Sequence, residues 1–151
     1  MRMARVNIWN FSYERHSAFT CITTNGSLNS AGSLVMGRGI AKQASLKFPG
    51  LSRELAALVR VQGNKVHILS ERKGYKLVAF PVKYLWDMRA DLDLIKTSAK
   101  QLEHYARLHK SCIFLLPRPG CGNGGLDWQD VESIISFLPD NVFVLNNEGV
   151  R

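Results

Sequence analysis

Four glycines fall within six residues at Gly120–Gly125, inside the run Pro117-Arg118-Pro119-Gly120-Cys121-Gly122-Asn123-Gly124-Gly125-Leu126-Asp127-Trp128. Glycine loses more conformational freedom on folding than any other residue, so a mere connection is seldom built from it. Placed between an apolar run and an amphipathic one, this composition suits a loop whose backbone N–H groups cradle an anion. A second stretch, Thr23 to Ala41, ends in Met36-Gly37-Arg38-Gly39-Ile40 and leads straight into a helical pattern. The first N–H groups of a helix lack internal partners and attract phosphate. The stretch is neither GxGxxG nor a Walker A loop, because no Gly-Lys-Ser/Thr follows, which disfavours kinase or NTPase chemistry. Two such cradles side by side would hold two linked phosphates. A third stretch, Phe80-Pro81-Val82-Lys83-Tyr84-Leu85-Trp86, places an amine after an apolar run and among aromatic rings. Partial burial there would lower the lysine pKa and sharpen the amine as a nucleophile. A long turn with positive φ angles, a solvated lysine and aromatic rim packing are the bland alternatives for these segments.

The elements that must position these loops can be read from hydrophobic periodicity. Short β-rich runs are expected at Arg5–Trp9, Ala18–Thr23, Lys65–Leu69, Lys76–Pro81, Ser111–Pro117 and Asn141–Asn146. Several are apolar without alternation, as in strands covered on both faces. Helical patterns lie between them. One runs from Ile40 to Lys47, breaks at Phe48-Pro49-Gly50 and resumes from Leu51 to about Val61. Another spans Asp91 to about Leu108, with Leu92, Ile95, Ala99, Leu102 and Tyr105 or Ala106 on one face, and a last one carries Trp128, Val131, Ile134, Ile135 and Leu138 behind Asp127 as N-cap. Strands alternating with helices predict an α/β fold, a three-layer α/β/α sandwich around a mixed, largely parallel sheet. In such sheets ligands sit at the carboxyl ends of the strands, where all three loops begin.

Composition sets the frame around these loops. The chain has 151 residues, with 20 Lys+Arg against 12 Asp+Glu, a formal charge of +8. That length fits one domain, residues 1–151, able to bury its own core. A surplus of positive charge favours polyanionic partners, nucleic acid or phosphorylated ligands, although it also suits a simply basic surface. Three cysteines (Cys21, Cys112, Cys121) without CxxC spacing argue against a disulfide framework and a zinc knuckle. The four histidines are scattered, with His104 and His109 off the i,i+4 spacing of a helical metal site, so neither metal nor cofactor is expected. No apolar run approaches a membrane span, and the start MRMARVNIWNF lacks the apolar core of a signal peptide. A cytoplasmic monomer with no membrane partner is the expectation.

Taken in order, the three segments resemble the macrodomain family of ADP-ribose binders and hydrolases over nearly the whole chain. Thr24-Asn25-Gly26 followed by Met36-Gly37-Arg38-Gly39-Ile40-Ala41 is similar to the family's ribose loop and first phosphate loop, and Pro119-Gly120-Cys121-Gly122-Asn123-Gly124-Gly125-Leu126-Asp127-Trp128 to its second. Phe80-Pro81-Val82-Lys83, with Trp86 behind it, resembles the branch that holds the DarG antitoxins and the terminal ADP-ribose glycohydrolases.

The resemblance implies a macrodomain-like fold in which Lys83 is catalytic and Asp127 assists it. It puts Asn25 on the distal ribose, Met36, Gly37, Arg38, Gly39 and Ile40 around one phosphate, and Pro119, Gly120, Cys121, Gly122, Asn123 and Gly124 around the pyrophosphate and distal ribose. Adenine recognition departs from the family. Trp9-Asn10-Phe11 stands where many members carry Gly-Asp, leaving Asn10 as the substitute, and Asn146 follows the last strand where an aromatic often stacks. Val82 and Leu85 replace the Thr and His of the branch's lysine motif. The implied activity is that of an ADP-ribosyl glycohydrolase, with ADP-ribosylated DNA, at thymidine, preferred over modified protein because of the basic charge. ADP-ribose 1″-phosphate hydrolysis, removal of ADP-ribose from protein, and non-catalytic ADP-ribose binding are the alternatives.

Overall fold

The computed structural model describes residues 1–14 and 17–146, leaving His16 and Asn147 outside. The chain runs β1 (Arg2–Ala4), α1 (Ile8–Glu14), β2 (Ala18–Thr24), α2 (Gly39–Lys47), α3 (Leu51–Gln62), β3 (His67–Ile68), β4 (Lys76–Pro81), α4 (Leu92–Leu108), β5 (Ile113–Pro117), α5 (Trp128–Ile135) and β6 (Val142–Leu145). The strands form one sheet in the order β1-β6-β5-β2-β4-β3. All neighbours are parallel except β3 and β4, so the sheet is mixed and largely parallel as expected.

Side chains alternate across the sheet into two cores. On one face Val78 and Phe80 of β4, Phe114 and Leu116 of β5, and Val142 and Val144 of β6 pack against Ile95, Ala99 and Leu102 of α4 and Val131 and Ile135 of α5. On the other, Ile22 of β2, Leu77 and Ala79 of β4, and Leu115 of β5 meet Ile8 and Trp9 of α1, Ile40 and Ala44 of α2, and Leu51 and Leu55 of α3. Strands buried on both faces have no polar side, which is why they read as unbroken apolar runs. The result is an α/β/α sandwich.

Two expected strands come out differently. Arg5–Trp9 is not a strand: β1 ends at Ala4, and Ile8 opens a helix. The reason is Asn7, whose Oδ1 accepts from the amides of Trp9 and Asn10, each at 3.1 Å, and so caps α1 while Ile8 and Trp9 turn into the core. Lys65–Leu69 shortens to His67–Ile68 at the sheet edge, because the Val66 amide donates to Gln101 Oε1 at 2.9 Å instead of to a strand. The last helix also stops at Ile135 rather than reaching Leu138.

Helix starts at two aspartates differ in kind. Asp91 accepts from Leu94 N at 2.9 Å and caps α4, whereas Asp127 stands at the N-cap of α5 with no such bond. Asp91→Ala is expected to cost about 1 kcal/mol in urea unfolding and Asp127→Ala about half of that or less. Equal losses would show that the Asp127 carboxylate caps its helix after all.

Candidate functional site

At the carboxyl ends of β6, β5, β2 and β4, which are consecutive in the sheet, lies a cleft of about 1140 Å³. That is larger than an ordinary drug-sized pocket and sufficient for a dinucleotide-sized ligand. Its walls are the loop after β2, the turn after β4, the glycine loop after β5 and the end of β6 at Leu145 and Asn146. Parallel pairing makes this convergence: β2 pairs with β4 from Phe19↔Lys76 to Thr24↔Pro81 and with β5 from Ala18↔Ile113 to Thr20↔Leu115, so three chain directions end together.

The first wall is shaped by an amide side chain. Asn25 Oδ1 accepts from Ser27 N at 2.9 Å and its Nδ2 donates to Val35 O at 2.9 Å, closing the ends of the loop on each other. Asn25 lines the cleft, but both ends of its amide hold the loop's shape. Met36, Gly37, Arg38, Gly39 and Ile40 follow along the wall. Arg38 takes the N-cap of α2 with extended backbone and no side-chain cap, and no acidic residue occupies the first turn. The helix start is therefore left open to an anion.

The second wall needs its glycines for different reasons. Gly120 sits at φ +74°, and a Cβ there would lie 2.8 Å from Ile95 Cδ1 and 2.9 Å from the Ala90 methyl. A Cβ on Gly124 would lie 2.5 Å from Gly120 O. These two fold the loop back on itself, helped by Leu126 N donating to Gly120 O at 2.9 Å. Gly122 is open on all sides, and among the described residues the amides of Gly122, Asn123 and Gly124 have no protein acceptor. The amides of Gly37 and Arg38 across the cleft are free in the same sense. The walls approach closely, since a Cβ on Gly39 would stand 3.5 Å from Asn123 Nδ2. Two sets of unpaired N–H groups facing one space form an anion cradle on each side.

The turn after β4 carries Lys83. Its backbone is fixed from behind: Asn64 Nδ2 donates to Lys83 O at 3.1 Å, Gly26 N to Tyr84 O at 3.2 Å, and Trp86 N to Ser27 Oγ at 2.8 Å. Lys83 is half-buried as a residue, and its amine reaches the Trp86 carbonyl at 3.4 Å and the Asn123 carbonyl at 3.5 Å. Both bonds are long and neither partner is charged, so the nitrogen stands between the turn and the second glycine loop ready for a third partner.

Other expected residues are placed less centrally. Gly120, Cys121, Gly122, Asn123, Gly124 and Asn146 line the cleft, whereas Pro119 is buried behind it. Asn10 is exposed on α1 and outside the lining, and so is Asp127. Burial pushes the Cys121 thiol pKa up to about 11, against a lowering by the Arg118 guanidinium and with a lesser raising by the Asp127 carboxylate. The thiol therefore stays protonated at neutral pH and offers no nucleophile.

Two residues that periodicity and motif left unremarked also line the cleft. Asp87 is its one carboxylate among the described residues, and Arg118 has a buried Nε with no partner while its guanidinium lies 4.7 Å from the Trp128 ring centre. Arg118 was visible in the Pro-Arg-Pro-Gly run, overshadowed by its glycines. Asp87 carried no signal, since a single acid in an irregular turn has no pattern. Among the described residues no cluster of His, Cys, Asp and Glu could hold a metal, and no helix is long and apolar enough to cross a membrane.

No family model matches the sequence. The macrodomain of Mycobacterium tuberculosis DarG has the same fold with a TM-score of 0.70 and 26% identity, each chain covered to 95%. The chain has the macrodomain fold. Thermosipho africanus DarTG in complex with ADP-ribose superposes with a TM-score of 0.71 at 17% identity, over 89% of this macrodomain and 39% of that chain. Among curated proteins, the DNA ADP-ribosyl glycohydrolase of Mycobacterium tuberculosis is 31% identical over an alignment of 116 residues that covers 70% of this chain and 33% of the relative. The macrodomain thus spans about a third of the length of the curated relatives it matches.

The glycines of the second wall separate into structural and open positions. Gly120→Ala is expected to destabilise the macrodomain by about 2–4 kcal/mol, combining left-handed strain with overpacking. Gly122→Ala, with nothing in the way, should be within about 0.5 kcal/mol of the parent. Thermal unfolding of the two variants checks this, and a harmless Gly120→Ala would refute the packing argument.

Proposed function

We propose that this macrodomain is an ADP-ribosyl glycohydrolase that binds ADP-ribose in the cleft and releases it from modified DNA, at thymidine, with Lys83 as nucleophile. The observation that carries the reading is the position of the Lys83 amine, at 3.5 Å from the Asn123 carbonyl of one anion cradle and on the rim of the space both cradles share. Pyrophosphate held by the amides of Gly37 and Arg38 on one side and Gly122 to Gly124 on the other would bring the distal ribose to that amine. Fixing two reactants in this way can supply several kcal/mol of the barrier. The 31% identity to a DNA ADP-ribosyl glycohydrolase supports the same substrate class.

The chemistry follows from the bond. The link between the base nitrogen and the anomeric carbon breaks with its electron pair going to the base, which takes up a proton. The free amine of Lys83 bonds to the anomeric carbon and gives up a proton, and opening of the sugar ring turns the adduct into an imine. Water then adds to that carbon, the carbon–nitrogen bond breaks, and ADP-ribose and lysine are restored. Lys83→Ala is expected to lower release of ADP-ribose from a modified thymidine oligonucleotide by at least about a hundredfold while calorimetric affinity for ADP-ribose is unchanged. Cyanoborohydride should trap a lysyl adduct at residue 83 in the parent alone. Undiminished release by Lys83→Ala sinks the mechanism.

The resemblance gives proton transfer to Asp127, yet Asp87 lines the cleft and Asp127 does not. A proton carrier must come within one hydrogen bond, or one water, of the reacting group. The geometry therefore favours Asp87. Asp87→Asn is expected to lower kcat about 10- to 100-fold and Asp127→Asn less than about threefold. The reverse ranking in single-turnover rates would return the role to Asp127.

A further inference from the structure

The turn that carries Lys83 leaves a strip of large apolar side chains in solvent: Tyr84 is 50% exposed, Leu85 49%, Trp86 58% and Met88 50%. Packing does not account for four such neighbours within five residues, and a concentrated apolar patch marks a contact surface. The strip is held out rather than loose. Gly26 N grips Tyr84 O at 3.2 Å, Ser27 Oγ takes Trp86 N at 2.8 Å, and Met88 N closes on Leu85 O at 3.2 Å. Trp86 and Met88 line the cleft whereas Tyr84 and Leu85 do not, so the strip leads outward from the rim.

Its surroundings are basic. Arg38, Lys83, Arg89 and Arg118 line the cleft against the single carboxylate of Asp87, and none of the four is ion-paired among the described residues. Flat rings set among unpaired cations match one class of partner. Unpaired bases offer faces to stack on, and the phosphates between them meet the charges. An acidic peptide would use the cations and leave the rings without a purpose.

We infer that the Tyr84 and Trp86 rings form a stacking platform for the bases flanking the modified nucleotide. A duplex keeps its base faces inside the stack and cannot use the platform. The inference rests on the proposed function for what occupies the cleft, but stacking can be measured without any hydrolysis.

The probe is an unmodified oligothymidylate, titrated into the full chain by anisotropy and by intrinsic fluorescence. Trp9 is buried and Trp128 is covered by Arg118, which leaves Trp86 as the exposed reporter. The strand should quench the fluorescence, and Trp86→Phe should remove most of the quench while retaining binding. Tyr84→Ala should weaken binding about 5- to 100-fold and Tyr84→Trp restore it, with a duplex of equal length binding less tightly. On an ADP-ribosylated oligonucleotide Tyr84→Ala should raise KM, with hydrolysis of a small ADP-ribose ester unchanged. Equal binding of duplex and single strand, an unaffected Tyr84→Ala, or a ring-dependent preference for a modified peptide overturns the inference. Quenching and its loss in a chain that hydrolyses nothing would uphold the platform and remove the proposed function instead.

Discussion

The close approach of Gly26 to the turn after β4 decides where the Lys83 amine can stand. A Cβ at that position would lie 2.8 Å from Tyr84 O and 2.9 Å from Asn64 Nδ2, so only glycine lets the loop after β2 lie against that turn. The contact brings three bonds with it: Gly26 N to Tyr84 O, Asn64 Nδ2 to Lys83 O, and Trp86 N to Ser27 Oγ. Backbone held at Lys83, Tyr84 and Trp86 fixes the point from which the lysine side chain starts. The arrangement has a cost in Asn64, whose Oδ1 is buried with no partner. A buried unsatisfied oxygen is worth of the order of 1–3 kcal/mol of lost stability, which is the kind of expense a fold tolerates where position matters.

From this contact the constraint passes to the second glycine loop. Val82 N donates to Thr24 O at 2.9 Å, Asp91 N to Val82 O at 2.9 Å, and Ala90 N to Gly124 O at 3.0 Å, so the turn is tied at one end to β2 and at the other to the loop after β5. Arg89 adds a fork, with Nε and a terminal nitrogen on Gly125 O at 3.1 and 2.7 Å. Ala90 is small enough for Gly120 and Gly124 to pack on its methyl, and α4, capped by Asp91, starts from there. The two cradles and the amine are consequently one mechanical unit, although they are about forty residues apart in sequence at each step.

This explains what could be read in advance and what could not. β4 at Lys76–Pro81 and α4 behind Asp91 came through at their expected bounds because long apolar runs with clear stops leave little choice. Arg5–Trp9 misled because five residues fit either period, and the deciding event was a side-chain bond from Asn7. Among site residues, the glycine loops and Lys83 stood out by composition and by their place after strands. Asn64 and Ser27 did not, since each acts through a single tertiary bond to a turn that lies elsewhere in the chain. Asn25 was legible as a cleft residue, but the engagement of its amide with Ser27 and Val35 needed the folded loop.

The charge of +8 takes on a narrower meaning in this light. Backbone N–H groups line both cradles, and such dipoles stabilise an anion without any side-chain cation. The cations at the cleft are then not all committed to the anion: Arg89 is turned onto Gly125 O and Arg118 onto the Trp128 ring, while Arg38 and Lys83 stay on the rim. Elsewhere some carboxylates take up cationic partners, as Glu54 does with Arg72 and Glu103 with Arg107. Exposed pairs of that kind add little stability but cancel local charge, whereas among the described residues the cleft lining sets four cations against Asp87. A field concentrated at one opening attracts a polyanion more effectively than the same charge spread over the surface. Net charge alone did not specify a partner, and its distribution relative to the amide cradles supplies the missing direction.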